Sequence, residues 1–245
     1  MITSVKNERV KAWKKLHNRK ERNNTKTFII EGFHLLEEAW KSDWVIQEII
    51  AEEAVELPNW CQDYEVERVS APVFEQITQT QTPQGVAAVL EMKEATKRKG
   101  NYLLLIDSVQ DPGNLGTMIR TADAAGMDGI VLGNGTVDIY NDKVLRSTQG
   151  SIFHIPIYHA SLLDEVKDLQ QNGFKIWATA LLNAKKYNEI QIDGKVALIL
   201  GNEGAGVRQE LIDVADEIVT IPIYGKAESL NVSIAAGILM YYLKR

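Results

Sequence analysis

The sequence predicts an α/β protein of two domains, the first small and mixed, the second built on a parallel sheet. Over its 245 residues, short β-branched runs alternate with segments whose apolar positions recur at helical spacing. In the second half the strand-like runs LLLI, GIVLG, KIWATAL and VALILG are apolar almost without interruption, as strands covered on both faces must be. Between the halves lies KEATKRKGN, Lys93–Asn101, a charged stretch ending in Gly-Asn that reads as a linker. The length suits one large domain or two ordinary ones, and an apolar content of 45% is enough for real cores.

The first domain, residues 1–92, opens with a basic helix whose apolar side is drawn from Val5, Val10, Trp13 and Leu16. A strand TFIIEG (Thr27–Gly32) follows, then a helix HLLEEAWK with Glu31 as its candidate cap. A strand over Val45–Glu52, a segment around Leu57–Cys61 and a strand YEVERVS come next. A helix over Ala71–Thr78 and a closing strand over Val86–Met92 complete the domain. Residues 102–245 form the second domain. It begins with the strand LLLID, a helix reaching Arg120 and the strand GIVLG. A polar region near Asn141–Gln149 leads to a strand around Ile155–Tyr158 and a helix over Leu162–Gln171. KIWATAL, VALILG and EIVTIPI are further strands, and a helix of small and apolar residues ends the chain, with Ser229 its expected N-cap.

Charge is distributed unevenly. Residues 1–26 carry nine Lys/Arg against two acids, a net +7, while the other 219 residues carry 18 against 31, a net −13. A basic segment on an acidic body is the electrostatic footprint of a phosphate-backbone partner, with Lys14, Lys15, Arg19 and Lys20 as candidate contacts. The same charges would also suit a solvated helix face. Cys61 is the single cysteine, so no intrachain disulfide is possible and a reducing, cytoplasmic setting is expected. The longest apolar run, Ile234–Leu243, is far shorter than the roughly 20 residues that span a bilayer, so no membrane partner is expected. The four histidines and Cys61 show no metal-ligand spacing, and no metal is expected.

Three motifs carry the chemistry: DPGNLGTMIRTADAAG (Asp111–Gly126), GNEGAG (Gly201–Gly206) and IPIYGKAESLN (Ile221–Asn231). A glycine-rich turn after an apolar strand belongs at the carboxyl edge of a parallel sheet, where open α/β proteins bind ligands. Its spacing is not GxGxxG, and LLLID is followed by SVQDPGNLG, which argues against a dinucleotide-binding oxidoreductase. Asn114 and Arg120 lie six residues apart, too far to be neighbours on one helix face if the helix starts near Asn114 or Gly116. The guanidinium of Arg120 suits forked contact with a phosphate.

Together these motifs resemble the SpoU (TrmH-like) family of RNA ribose 2′-O-methyltransferases, within the SPOUT superfamily, from about Tyr102 to the C-terminus. The first domain is similar to the L30e-like RNA-binding domain found in front of many such enzymes. The resemblance implies S-adenosyl-L-methionine as cofactor and a C-terminal trefoil knot, which periodicity cannot reveal and general chain topology would disfavour. It implies that Arg120, Asn114, Glu203 and Asn231 surround the reacting hydroxyl. It implies also that Leu181, Gly201, Ile221, Ser229 and Leu230 hold the cofactor. A homodimer through the second domain is expected, acting on structured RNA, with 23S rRNA first and tRNA as the alternative. A non-catalytic RNA-binding or ribosome-assembly factor of the same fold stays open.

Overall fold

The computed structural model describes residues 1–93 and 100–245; residues 94–99, most of the expected linker, lie outside the described residues. The chain divides into two compact units, Met1–Glu94 with Tyr140–Phe153, and Ala95–Ile139 with His154–Arg245.

In the first unit the basic segment forms two helices rather than one, α1 (Glu8–Lys15) and α2 (Arg19–Thr25). The break has a local cause: Asn7 and Asn18 each cap a helix, accepting from the N–H of Arg9 and of Lys20. Val10, Trp13 and Leu16 are buried, whereas Val5 precedes α1 and is 47% exposed, so it does not belong to the apolar side. The chain continues through β1 (Thr27–Glu31), α3 (Phe33–Trp40), β2 (Ile46–Glu52), β3 (Val66–Val69), α4 (Ala71–Ile77) and β4 (Val86–Glu91). The sheet order is β1-β4-β2-β3, antiparallel except between β2 and β3. Trp13 packs into the cluster of α1, α4 and one sheet face, and its Nε1 donates to Glu48 at 2.7 Å. Arg9 fastens the same helix by pairing with Glu48, Glu65 and Glu67.

Glu31 does not cap α3. Its carboxylate accepts from Gln79 N–H (2.7 Å) and from the Thr80 N–H and hydroxyl, while Gln84 Oε1 takes the Phe33 N–H at 2.9 Å. Gly32, at φ 95°, turns the chain between strand and helix, so the preceding side chain points away from the helix start.

The second unit begins with β5 (Tyr102–Ile106), α5 (Pro112–Ala124) and β6 (Gly129–Leu132). The polar stretch that follows is a helix, α6 (Asp142–Thr148), and belongs to the first unit. Asn141 caps it, and Val144, Leu145 and Thr148 are buried. The second unit resumes with β7 (Ile157–His159), α7 (Leu162–Gln171), β8 (Phe174–Thr179), β9 (Lys185–Lys186) and β10 (Lys195–Leu200). It ends with α8 (Gln209–Ile212), β11 (Glu217–Thr220) and α9 (Val232–Leu243).

Its seven strands are all parallel, in the order β7-β6-β5-β10-β8-β11-β9. The expected buried parallel sheet is therefore present, and Leu103–Ile106 and Val196–Leu200 are at most 1% exposed. From β5 the chain winds outward through β6 and β7, then crosses to β8, and β10 returns to lie beside β5. Ile106 pairs with Leu200, so the carboxyl ends of β5 and β10 meet at the switch point of the sheet.

Two helix starts differ from expectation. α5 begins at Pro112, a residue pre-set for the first helical position, with Asp111 as N-cap accepting from the Asn114 N–H at 2.8 Å. The N-cap of α9 is Asn231, not Ser229: Asn231 Oδ1 accepts from the Ser233 N–H at 2.9 Å, and Ser229 lies in the irregular segment before it.

Candidate active site

The loops leaving β5 and β10 are stitched together by side chains of the second. After β10, Gly201 is irreplaceable sterically, since a Cβ there would lie 2.1 Å from the backbone of Gly206 and Val207. Asn202 and Gly206 exchange two backbone hydrogen bonds of 3.0 Å, closing a tight turn. The Asn202 Oδ1 accepts from Gly204 N–H (2.9 Å) and Ala205 N–H (3.0 Å), and its Nδ2 donates to the Ser108 carbonyl (2.8 Å). Ser108 sits at φ 61°, a left-handed conformation that costs a non-glycine residue about 1 kcal/mol and survives where its surroundings enforce it.

The turn delivers Glu203 to the loop after β5. Its carboxylate accepts from Gln110 N–H (3.1 Å), Asp111 N–H (2.9 Å) and Asn114 Nδ2 (3.1 Å). Partial burial pushes the Glu203 pKa up, but these donors together outweigh it and hold the group below the usual carboxylate range. A depressed folded value means its contribution to stability is present above the unfolded value of about 4.3 and is lost as pH falls through the folded one.

From Glu203 a directed chain of amides runs to α9. A carboxylate only accepts, so Asn114 faces it with Nδ2, leaving Asn114 Oδ1 to accept from Asn231 Nδ2 at 3.0 Å. Asn231 Oδ1 is then left for the Ser233 N–H and hydroxyl, as its N-cap role requires. Both ends fix the same polarity, so neither amide can be flipped without losing bonds. Three motifs widely separated in the chain thus meet in one network.

Arg120 stands apart from it. Six residues beyond Asn114 on α5, it is exposed and has no hydrogen-bond or ion-pair partner among the described residues. The five residues expected at the cofactor lie along one edge of the sheet. Gly201 follows β10, Leu181 follows β8, Ile221 follows β11, and Ser229 and Leu230 precede α9; β10, β8 and β11 are consecutive in the sheet. Leu181 is 62% and Leu230 37% exposed. Bare apolar side chains beside a glycine turn and an irregular segment with open backbone fit an adenosine ring and its polar rim. In the first unit Lys14, Lys15, Arg19 and Lys20 are all exposed; Lys14 donates to Gln76 at 3.1 Å, and Arg19 is also engaged. Arg9 is taken up by its three glutamates, and Arg22 is buried with Nη1 on the Leu16 carbonyl. Sequence reasoning named Asn202 in its motif without a role and passed over Ser108, Asp107 and Arg208. Only Asp107, an acid closing an apolar strand, carried a visible signal.

A doubly wound parallel sheet with paired loops at its switch point, an apolar shelf and a carboxylate–amide network defines an α/β enzyme built to bind a nucleoside-bearing cofactor. The model described as the SpoU rRNA Methylase family matches residues 101–241, and the MRM3-like substrate binding domain matches residues 7–88. The 23S rRNA (guanosine(2553)-2′-O)-methyltransferase RlmP of Bacillus subtilis is 50% identical over 244 residues, covering 99% of this chain and 98% of RlmP. The AdoMet-bound rRNA methyltransferase from Sinorhizobium meliloti superposes with a TM-score of 0.90 at 34% identity, covering 99% of this chain and 96% of that one. AviRb from Streptomyces viridochromogenes, a SpoU methyltransferase in complex with AdoMet, superposes with a TM-score of 0.87 at 25% identity over 98% and 97%. The chain belongs to the SpoU rRNA methylase family.

Proposed function

We propose that this protein is an S-adenosyl-L-methionine-dependent methyltransferase that methylates a ribose 2′-hydroxyl of 23S rRNA. The observation that carries the reading is the Glu203–Asn114–Asn231 network, set at the sheet's switch point beside the Gly201 turn. When bound, the cofactor supplies an electrophilic methyl group, so the protein has only to align the acceptor oxygen and manage one proton. The Gly201 turn, Leu181, Ile221, Ser229 and Leu230 bind and orient the cofactor. The network holds Asn114 and Asn231 rigid beside the acceptor ribose, and Glu203, kept ionised, anchors both. Arg120, without a protein partner among the described residues, clamps the RNA phosphate and orients the hydroxyl. A guanidinium offers only donors, so its charge and forked geometry are what it contributes.

The first unit brings the RNA. The domain boundaries are set at residues 1–92, 93–101 and 102–245, with Tyr140–Phe153 packed into the first unit. The enzyme acts as a cytoplasmic homodimer through its second domain. α9 supports this, being apolar all round: one side packs on α5 and β10, while Ile234 and Tyr241 are 55% and 57% exposed. The trefoil knot that the resemblance implies belongs to the same reading, with the segment between β11 and α9 as the crossing strand.

Mapping ribose methylation across 23S rRNA and tRNA, in cells with and without the protein, tests the reading. Loss of one 23S rRNA methyl, first at the guanosine that RlmP's name specifies, is expected. Loss confined to tRNA makes the substrate tRNA, and no change makes the protein a non-catalytic binder.

Replacing Lys14, Lys15, Arg19 and Lys20 together by Gln should weaken RNA binding and reduce the slope of log K against log salt by up to about 3, given roughly 0.7–0.9 per phosphate contact. Binding of S-adenosylhomocysteine should be unaffected. An unchanged slope in titrations at several salt concentrations would make these residues a solvated face.

A further inference from the structure

We infer that Asp107 and Arg208 are positioning residues for this reaction, forming a clasp that sets the Glu203 turn against the loop after β5. Asp107 directly follows the buried strand β5 and is itself fully buried. Its two carboxylate oxygens are both used by Arg208: Oδ2 accepts the backbone N–H at 2.9 Å and Oδ1 accepts Nε at 2.8 Å. Arg208 directly follows the turn that begins at Gly201, and its Nη1 is steadied by Glu210 at 2.8 Å.

The turn is therefore held at both ends. Gly201 directly follows Leu200, which pairs with Ile106 of β5, and Arg208 returns to Asp107 at the carboxyl end of β5. Between these anchors, Asn202 reaches the Ser108 carbonyl and Glu203 reaches the N–H groups of Gln110 and Asp111. Ser108 follows Asp107 directly and is held left-handed, its hydroxyl donating to the Asn134 carbonyl at 2.8 Å. The links to Ser108, Gln110, Asp111 and Asn114 form at the rim of the sheet, where the residues are exposed or half-buried. The clasp sets a guanidinium, 44% exposed, against a fully buried carboxylate, so removing the Arg208 side chain leaves that carboxylate without its charged partner. Neither residue lies among those assigned to cofactor or RNA, so the pair acts through Glu203 and Asn114. The Asp111 carboxylate, which caps α5, also borders that network.

The inference rests on the functional reading above, and its test has an arm that does not. In the full-length protein, Arg208→Ala should leave the fold intact and let the turn drift, loosening the donors on Glu203. The titration of Glu203, followed by carboxyl ¹³C NMR, should then move upward towards the ordinary carboxylate range. The acid limb of the kcat–pH profile should move with it, and kcat at neutral pH should fall at least about tenfold, since small misplacements near reacting groups carry large rate costs. Arg208→Lys, keeping charge without the Nε geometry, should give an intermediate titration. A folded Arg208→Ala protein with an unmoved Glu203 titration overturns the inference, whether its activity is retained or falls through lower thermal stability alone. If Arg208→Ala does not fold, Arg208→Lys decides: an upward shift supports the clasp and none overturns it. A wild-type protein that methylates no RNA would remove the functional reading, leaving the NMR titration to judge the clasp.

Discussion

Arg120→Ala should abolish methyl transfer, by at least about 10³-fold in kcat/KM, while S-adenosylhomocysteine should still bind within a few-fold of wild type. The size follows from the proposed role: losing a preorganised donor at a reacting centre costs about 10²–10³. A second loss comes from releasing the phosphate that aligns the ribose. The separation from cofactor binding follows from position. Arg120 lies on α5, exposed and without a protein partner among the described residues, whereas the proposed cofactor residues follow β8, β10 and β11. Because no internal bond is broken, the thermal midpoint should be unchanged, which separates a chemical loss from a folding one. Arg120→Lys should not rescue, since an ammonium cannot reproduce a planar fork on a phosphate. Single-turnover assays on rRNA fragments, beside calorimetric titration with S-adenosylhomocysteine, measure both quantities. Near wild-type turnover by the lysine variant would refute the role.

Leu230→Arg should eliminate the stabilisation that S-adenosylhomocysteine is expected to confer. A ligand at 100 times its Kd adds about 2.7 kcal/mol to the native state, and this whole increment should vanish. Leu230 is 37% exposed at the start of the last helix, so an arginine is tolerated by the free protein. With the ligand bound, the guanidinium would be pressed against the adenine shelf without a partner, at a cost the ligand cannot recover. Val45→Arg, at a 52% exposed position in the first unit, is the control and should retain the full shift. Differential scanning fluorimetry with and without ligand reads the difference. A Leu230→Arg protein with a wild-type shift would move the cofactor away from the segment between β11 and α9.

The strands were legible because burial on both faces writes itself directly into composition. Leu103–Ile106 and Val196–Leu200 could hardly be anything but central strands. Helix starts were less so. Ser229 and Asn231 are both good caps, and the choice went to the residue whose Oδ1 could meet the Ser233 N–H while its Nδ2 met Asn114. The break after α1 was written in Asn18, but the run of like charges around it reads as one helix. α6 was hidden because its polar residues outnumber the three that it buries.

By itself the sequence determined the class of protein: two α/β units, a parallel sheet in the second, and motifs whose residue types suit a nucleoside cofactor and a phosphate. Local composition suffices for this, since strand burial and glycine turns are properties of consecutive residues. Only the tertiary structure decided which of those residues act together. Sheet order sets β10 beside β5, and this alone brings Glu203 within 3.1 Å of Asn114, 89 positions earlier in the chain. It also leaves Arg120 exposed, and it pairs Arg208 with the buried carboxylate of Asp107, two residues unremarkable as letters. Hydrogen-bond networks form between strand ends whose adjacency is a matter of topology. No periodicity within a segment records which strand its end will stand beside.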